Sequence, residues 1–469
     1  MSQINESAIK TPGVYVNEIP SFPPSVAQVE TAIPAFIGYT KKATDADGDS
    51  LTNIPTKIYS MLEYITYFGE AENESDINVS VEITTSSGQI TSITAKANNN
   101  APSKNNMYYC LNSYFDNGGG QCYIVSVGAT DGTPALADLE DGRDLLEAYD
   151  EPTLILFPEG QSLAEADYYS LVSGAIDQCA KLQDRFTIID IHTQASTTDN
   201  SISGFRGAFL KSDNLNYAAV YYPNIKTTYD YRYQDADVDV SIVTDGGAPV
   251  NTTLDTLAGT QSSVYNAAAD AISKLSPVLP PGPAVAGVYS KVDGSRGVWK
   301  APANVSINSI YDLTDTVTDK EQESMNVDVT GGKSVNAIRT FAGRGILVWG
   351  ARTLDGNSNE WRYVSVRRFF IMVEESCKKA SAQFVFEPND ANTWIKVRAM
   401  IENFLTNLWR QGALAGAKPE QAFYVRIGLG QTMTAQDILE GKMIVEIGMA
   451  AVRPAEFIIL RFMHKMQEA

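Results

Sequence analysis

In the middle of the chain, short apolar runs alternate with amphipathic stretches. The runs Cys122 to Val127, Thr153 to Phe157 and Phe186 to Ile191 have the length of strands, and they are apolar on both faces. Leu163 to Leu182, between the last two runs, has the length and pattern of a helix. The alternation continues from Asn105 to about Pro223 and predicts a layered α/β domain with helices covering both faces of the sheet.

The C-terminal third has a different order of elements. Gly345 to Ala351 predicts a strand, Trp361 to Lys379 a helix, and Phe384 to Phe386 a further short strand. Pro388-Asn389-Asp390 then supplies a helix cap. The helix after this cap carries one apolar stripe, and its other face carries basic residues. The stripe comprises Trp394, Val397, Ile401, Phe404 and Leu408, and the basic residues are Lys396, Arg398 and Arg410.

Two β-prone segments close the chain, Met443 to Ile447 and Phe457 to Phe462, joined through Arg453-Pro454. In the second segment, Phe457 to Leu460 leaves neither face polar, so both faces require cover that a frayed terminus does not give. The segment is therefore expected to enter a sheet. A neighbouring copy of the chain is a candidate host, and closure within one chain is the alternative.

The N-terminal region is rich in proline, which excludes a helix there. The prolines are Pro12, Pro20, Pro23, Pro24 and Pro34. Val14-Tyr15-Val16 is a short β-prone piece with too little neighbouring sequence to form a sheet of its own. It is expected to pair with a distant strand or with another chain.

Two polar stretches interrupt this organisation. Ile77 to Ala97 alternates polar and β-branched residues around Ser86-Ser87-Gly88, which predicts a surface hairpin. Lys226 to Ala258 is rich in Asp, Thr and Gly and predicts a solvated loop or a small β-element.

Composition sets the class of protein. A chain of 469 residues with 44% hydrophobic residues forms globular domains, about two or three of them. No apolar run reaches the ~20 residues that cross a bilayer, and the first ten residues are polar, so we expect folding in the cytoplasm. Cys110, Cys122, Cys179 and Cys377 are scattered, which favours reduced, buried thiols over a disulfide framework.

The net charge of −20 is unevenly distributed. Residues 1–330 carry 18 Lys plus Arg against 43 Asp plus Glu, whereas residues 331–469 carry 18 against 13. This asymmetry predicts that the C-terminal part faces an acidic partner, because complementary potentials favour docking. Ordinary surface charge without a partner is the alternative. The basic residues form no aromatic-basic cluster of the kind that binds nucleic acid.

Three motifs suggest enzyme or metal chemistry but lack required parts. Gly331-Gly332-Lys333-Ser334 resembles the end of a P-loop, yet Val327 stands where the first glycine is needed. Asp45, Asp47 and Asp49 suggest a calcium loop whose closing Glu is absent, so a solvated turn is favoured. His192 and His464, the only histidines, are isolated. The sequence therefore predicts no catalytic residue, no metal site and no cofactor.

Several collinear blocks carry a family resemblance. They are TPGVYVNEIP, AIPAFIGYT, YYCLNSYFDNGGGQCYIVSVG, DRFTIIDI, NYAAVYYPNI, AVAGVYSKVDGSRGVWKAPAN, VNAIRTFAGRGILVWGARTL, WRYVSVRRFF, FVFEPND, LWRQGALAG and VEIGMAAVRPAEFIILRF. In these blocks the chain resembles the sheath protein of contractile tails. Residues 70–106 and 226–258 depart from the pattern of compact members and are interpreted as insertions.

The resemblance implies a mixed α/β (α+β) fold. In it, a sheath core domain is built from N- and C-terminal segments and accompanies a middle α/β domain with β-rich insertions. The expected divisions are an N-terminal arm and linker (1–34), the start of the core with a β-hairpin insertion (35–104, insertion about 70–106), the middle α/β domain with its insertion (105–330, insertion about 226–258), the C-terminal sheath core domain (331–440) and the C-terminal strands (441–469).

The resemblance also implies a function without catalysis. The chain would be a structural subunit that polymerises around an inner tube and contracts to drive the tube through a target membrane. The residues expected in inter-subunit strand exchange are Val14, Tyr15, Val16, Val445, Ile447, Phe457 and Ile459, and the candidate tube-facing residues are Lys396, Arg398 and Arg410.

The implied partners are further copies in stacked rings that form a helical sheath, the inner tube protein, and baseplate and tail-terminator proteins. Neither nucleic acid nor direct membrane insertion is expected. Assembly would occur in the cytoplasm, within a virion or a phage tail-like particle released extracellularly. The large chain with two insertions favours an extracellular contractile injection system over a phage or a secretion apparatus. The alternatives are an unrecognised α/β enzyme and another tail or baseplate component.

Overall fold

The computed structural model describes residues 25–130, 132–192 and 198–461. Within these ranges the chain divides into two compact units. The smaller unit combines residues 25–29 with residues 373–452, and the larger unit combines residues 30–372 with residues 453–461. The smaller unit thus combines the first described residues with a segment of the C-terminal third, while residues 331–372 and 453–461 lie in the larger unit.

The described residues contain both strands and α-helices. The strands are β1 Pro34–Thr40, β2 Thr56–Ile58, β3 Ile77–Ser86, β4 Gln89–Asn99, β5 Cys122–Ala129, β6 Leu154–Leu156, β7 Phe186–Asp190, β8 Ala218–Tyr222, β9 Ile225–Thr227, β10 Asp239–Thr244, β11 Val250–Thr253, β12 Val278–Leu279, β13 Val305–Ser306, β14 Ile310–Leu313, β15 Asn336–Phe341, β16 Gly345–Val348, β17 Phe423–Arg426 and β18 Glu446–Met449. The helices are α1 Met61–Phe68, α2 Met107–Asp116, α3 Leu136–Leu145, α4 Glu165–Leu182, α5 Thr198–Ala208, α6 Leu254–Thr260, α7 Ser262–Ile272, α8 Gly282–Arg296, α9 Asp319–Asn326, α10 Val364–Ser381, α11 Ala391–Arg410, α12 Pro419–Ala422 and α13 Ala435–Leu439.

A nine-stranded sheet organises the larger unit, in the order β13-β16-β15-β8-β7-β6-β1-β5-β2. Its centre, β8-β7-β6-β1-β5, is parallel throughout. The chain starts at β1, adds β5 on one side, and then returns to add β6, β7 and β8 on the other side, which is a doubly wound arrangement. The three predicted buried strands and the predicted helix, now α4, are confirmed, and so is the mixed α/β class.

Two helices pack closely on one another beside this sheet. Helices α2 and α8 contact along their lengths, and nine residues of α8 are buried. At Gly287 of α8 a side chain would collide with the carbonyl oxygen of Tyr114 in α2. The absence of a Cβ at this position is therefore what lets the two helices approach so closely.

The two predicted insertions join in one small β-structure. The hairpin β3–β4 is confirmed, with Ser87 and Gly88 at φ 55° and 77° in its turn. Strand β10 of the second insertion pairs in parallel with β3, and β11 pairs antiparallel with β10. Helices α6 and α7 cover one face of this four-stranded sheet, where their residues share a buried apolar cluster with those of β3 and β10. Residues 226–258 thus contain a small β-element and are not only a solvated loop.

The smaller unit is built on helix α11. Asp390 caps this helix, as predicted, by accepting a hydrogen bond from the Thr393 N–H at 3.0 Å. The predicted apolar stripe packs inward, and the antiparallel pair β17–β18 lies against the helix. The predicted strand at Phe384 to Phe386 is wrong, because residues 382–384 form a 3₁₀ turn directly after α10 and Phe386 has a φ of 72°.

Candidate assembly site

An apolar tetrad, Phe457 to Leu460, lies exposed near the end of the described chain. The four side chains are 71%, 78%, 78% and 72% exposed. Residues 452–461 form no regular secondary structure. Contiguous exposed apolar side chains of this kind mark an interaction surface. The tetrad contains Phe457 and Ile459, two of the residues predicted to exchange between subunits, and the described part of the chain offers it no strand partner.

Glu456, directly before the tetrad, is held by four hydrogen-bond donors. Arg352 donates from Nε at 3.0 Å and from Nη2 at 2.6 Å, Asn326 donates at 2.8 Å, and the Tyr363 hydroxyl donates at 3.3 Å. Burial acts to raise the pKa of this carboxyl, but the hydrogen bonds from Arg352 and Asn326 outweigh it and hold the pKa below its ordinary value. The carboxylate is therefore ionised and fixed to the larger unit.

The β17–β18 pair contains Ile447, another residue predicted in strand exchange. Ile447 lies opposite Val425, and Val445 directly precedes β18. Both side chains are half-buried. Among the described residues each strand pairs only with the other, so both outer edges of the ribbon carry main-chain groups that are free to pair. A two-stranded ribbon is marginal by itself, and an added strand would stabilise it.

The predicted N-terminal strand residues Val14, Tyr15 and Val16 lie outside the described residues. Strand exchange thus remains a prediction at both ends of the chain. What the described residues supply is an unpaired apolar tetrad and a ribbon with two free edges.

The predicted tube-facing residues differ from one another in their surroundings. Lys396 and Arg410 are exposed on α11. Arg398 is half-buried, and its Nη2 donates to the Ile427 carbonyl at 2.9 Å. Arg398 therefore ties the helix to the segment that follows β17, whereas Lys396 and Arg410 are available to a partner.

Several arginines of the C-terminal third are buried inside the larger unit. Arg352, Arg367 and Arg368 are all buried. Arg368 pairs with Asp293 at 2.6 Å and lies over the Tyr289 ring. Residues 373–452 carry eight Lys or Arg against nine Asp or Glu, so the smaller unit has no basic excess. Buried arginines that form an ion pair or cation–π contacts thus account for part of the charge asymmetry.

The crevice where doubly wound sheets bind ligands is filled by the protein itself. Such ligands lie at the carboxyl ends of the strands where the strand order reverses, here between β1 and β6. Glu159, just after β6, is fully buried at this point, and its Oε1 accepts a hydrogen bond from the Met107 N–H at 2.8 Å. Its Oε2 lies against Gly38 of β1, where any Cβ would collide with it. The carboxyl thus caps helix α2 and occupies the crevice.

Asp190 repeats this arrangement at the neighbouring strand. It ends β7, is buried, and its Oδ1 accepts a hydrogen bond from the Gly282 N–H at 2.7 Å, at the first turn of α8. Burial raises the pKa of Glu159 to about 8 and that of Asp190 to about 7. Both groups serve the packing of α2 and α8. The sequence could not reveal them, because each lies at the end of an apolar run without a local motif.

The motifs suggestive of ligand binding have structural roles. The Lys333 ammonium donates to the Phe209 carbonyl and lies over the Phe209 ring, so it is not free to hold a phosphate. The Asp45 carboxylate accepts the main-chain N–H groups of Asp47 and Asp49 at 2.9 and 2.8 Å, which makes a closed turn. His192 is buried, and its Nε2 bonds to the Leu163 carbonyl.

The described residues show neither a metal-binding cluster nor a helix suited to cross a membrane. No three His, Cys, Asp or Glu side chains in these ranges lie in a group that could hold a metal ion. None of the helices seen combines the length and the apolar composition that a bilayer crossing demands. The four cysteines are free and buried.

Comparison with known proteins identifies the family. Residues 357–464 match the profile of the phage tail sheath C-terminal domain. The chain is 31% identical to the PVC sheath of an extracellular contractile injection system in its contracted state, over 98% of both chains with a TM-score of 0.66. It is 32% identical to the contracted helical sheath of the anti-feeding prophage, over 97% of this chain and 100% of that one, again with a TM-score of 0.66.

A curated relative, the tail sheath protein of Vibrio phage KVP40, is 24% identical over 130 residues, which is 28% of this chain and 19% of that protein. The chain belongs to the contractile sheath protein family and is a contractile sheath subunit. The predicted resemblance and function are confirmed by these comparisons. The relatives described above are structural components, in agreement with a protein that acts by assembly.

Proposed function

We propose that this chain polymerises around an inner tube by strand exchange and stores the work of contraction in its assembly. The observation that carries the proposal is the apolar tetrad, which stays exposed whereas the apolar runs of β5, β6 and β7 are buried. Burying four such side chains contributes roughly 6–12 kcal/mol, at about 1.5–3 kcal/mol each. Association itself costs about 4–15 kcal/mol, so main-chain hydrogen bonds to a neighbour must add to the free energy gained by burying the tetrad.

The proposed host for exchanged strands is the β17–β18 ribbon of neighbouring copies. An added strand satisfies main-chain donors and acceptors along its length without needing a large rigid interface. The donor and acceptor surfaces differ, so the contact is heterologous, and a heterologous contact that does not close generates a helical filament. Val14 to Val16 and the tetrad are the proposed donor strands, with Val445 and Ile447 on the accepting side.

Contraction then requires two packings of the same subunits, with the extended one higher in free energy and kinetically trapped. No reaction or cofactor is required, and we infer that the chain is not an enzyme. The position of Glu159 supports this inference, because its carboxyl lies at the usual ligand position of the sheet and is bonded to the Met107 N–H.

The proposed partners are the inner tube, on the side of Lys396 and Arg410, and baseplate and terminator proteins at the sheath ends. Assembly in the cytoplasm, within a particle that is released or is part of a virion, belongs to the same proposal. Neither nucleic acid nor membrane insertion is part of it.

Electron microscopy of the expressed chain, alone and together with its tube partner, tests the function. We expect long hollow cylinders, with the tube inside them when it is present. Deletion of residues 1–20 should leave a folded, soluble protein that forms no cylinders. Normal cylinders from this truncation would reject strand exchange at the N-terminal end, and turnover of a nucleotide or ester by purified monomer would support the enzyme alternative.

A further inference from the structure

The Arg352–Glu456 contact joins the C-terminal segment, residues 453–461, to the interior of the larger unit. The Glu456 side chain is 22% exposed, although its main chain and the residues after it lie at the surface. Arg352 is 4% exposed and presents two nitrogens to the two carboxylate oxygens. A two-point, charge-assisted contact in a partly dry site is among the stronger side-chain interactions in proteins.

From Arg352 a continuous hydrogen-bonded path leads into the nine-stranded sheet. Its main-chain N–H donates to Asn336 Oδ1 at 2.7 Å, and Asn336 Nδ2 donates back to the Arg352 carbonyl at 2.8 Å. The same Asn336 Nδ2 donates to the Val220 carbonyl at 3.1 Å. Asn336 begins β15 and Val220 lies in β8, two adjacent parallel strands. Glu456 is therefore connected through buried polar groups to the centre of the unit.

The position of the Arg352–Glu456 contact along the chain indicates its role. It directly precedes the apolar tetrad, which makes no strand pairing within the described residues. An exchanged strand transmits force to its own subunit only if the residues directly before it are fixed in that subunit. Apolar contacts alone would let these residues slide, whereas the bidentate Arg352–Glu456 pair holds them in one position and one orientation.

We propose that Glu456 is a positioning residue that, clamped by Arg352, anchors the C-terminal segment so that load on the tetrad passes into the subunit's own sheet. The proposal rests on the assembly function proposed above, and deepens it by assigning the load-bearing contact. Asn326 and Tyr363 complete the clamp by binding the same carboxylate.

Chymotrypsin cleavage after Phe457 tests the clamp in the unassembled chain. The protease must take residues 454–457 into its cleft, so Glu456 has to leave Arg352 before the bond is cut. We expect Glu456→Gln to accelerate this cleavage about tenfold, because charge-assisted hydrogen bonds are worth more than neutral ones. Peptides spanning 450–465 with Glu or Gln at 456 supply the intrinsic rates for correction.

Two further variants separate anchoring from general stability. Glu147→Gln removes an exposed carboxylate that contacts Lys181 at 2.7 Å and takes no part in the Arg352–Glu456 contact, so it is expected to leave the cleavage rate unchanged. Arg352→Met breaks the Arg352–Glu456 contact without altering the sequence around the cleaved bond. Its cleavage rate is compared with that of the wild type only if its thermal melt remains cooperative. Equal corrected rates for wild type and Glu456→Gln would overturn the proposal.

Assembly supplies the second readout. We expect Glu456→Gln to raise the critical concentration for cylinder formation about tenfold. The thermal melt of the unassembled Glu456→Gln chain should match that of the Glu147→Gln chain. An unchanged critical concentration would show that the clamp bears no load. If the wild type forms no cylinders at all, the assembly function fails, while the cleavage assay still decides whether the clamp holds the segment.

Discussion

Strand β7 and the apolar tetrad have similar sequences and opposite surroundings. Phe186 to Asp190 reads FTIID, and all five residues are buried between neighbouring strands of the nine-stranded sheet. Phe457 to Leu460 reads FIIL, and each side chain is more than 70% exposed. The difference shows that an apolar run predicts burial but not which chain provides it. For β7 the cover comes from its own chain, and for the tetrad we propose that it comes from a neighbour.

The largest effect is expected for a charge placed in β7. Ile189→Asp puts a carboxylate where the side chain is fully buried, which should cost at least about 4 kcal/mol of the roughly 5–15 kcal/mol that stabilise a typical domain. We expect an insoluble or non-cooperatively melting chain by circular dichroism. Ile189→Val is the matched control, with a loss near 1 kcal/mol. A soluble Asp variant with the wild-type melt would mean that β7 is not core.

The same substitution in the tetrad should act on assembly alone. Ile459→Asp changes an exposed residue, so the free energy of unfolding of the unassembled chain should move by less than about 0.5 kcal/mol. Cylinders counted by electron microscopy should disappear, because the charge would have to be buried in the neighbour. Leu439→Asp, at another exposed apolar position of the chain, controls for lost surface hydrophobicity. Normal cylinders from Ile459→Asp would remove the tetrad from the interface.

Thiol labelling measures the proposed burial directly. The four native cysteines are buried, and burial raises the pKa of Cys377 to about 12, so they should react slowly with a disulfide reagent. Ile459→Cys adds an exposed thiol, which should label at least about tenfold faster in the unassembled chain. In cylinders this rate should fall to that of the native cysteines. Equal labelling of position 459 in both states would contradict burial by a neighbour.

Sequence reasoning succeeded where the determining forces are local. The runs ending at Val127 and Ile191 are apolar on both faces, so only a covered parallel sheet suits them. The β3–β4 hairpin and the Asp390 cap depend on a few neighbouring residues, and both are present as predicted. The family resemblance supplied what local pattern could not, namely the assembly function.

The features that were missed depend on residues far apart in the chain. Strands β3 and β10 pair in parallel although more than 150 residues separate them, and no local signal specifies that partner. Glu159 and Arg352 look like surface residues by type, but both are buried by elements from distant segments. The basic face of α11 stays a prediction, and counting charges could not show that Arg398 is bonded to the Ile427 carbonyl or that Arg368 is paired with Asp293 inside the larger unit.

The smallest effect, when taken for a change of one pH unit, concerns Glu159, and it distinguishes the two regions by their response to pH. The tetrad carries no titratable group, whereas the sheet contains a carboxyl whose pKa is raised to about 8 by burial, against the opposing hydrogen bond from the Met107 N–H. Between its ordinary value near 4.5 and about 8, the folded chain binds a proton that the unfolded chain releases. The free energy of unfolding therefore falls as pH rises through this window, by up to about 1.4 kcal/mol per pH unit.

Glu159→Gln keeps an oxygen that can accept the Met107 N–H but cannot ionise. In the Ile459→Asp background, which should keep the chain unassembled, we expect the stability of Glu159→Gln relative to its parent to rise by about 1 kcal/mol per pH unit between pH 5 and 7.5. Urea unfolding at several pH values measures this slope, and Glu323→Gln, on the exposed side of α9, controls for loss of one charge. Parallel curves of stability against pH for Glu159→Gln and its parent would mean that Glu159 is ionised in the folded chain. The crevice between β1 and β6 would then contain more water than its packing indicates.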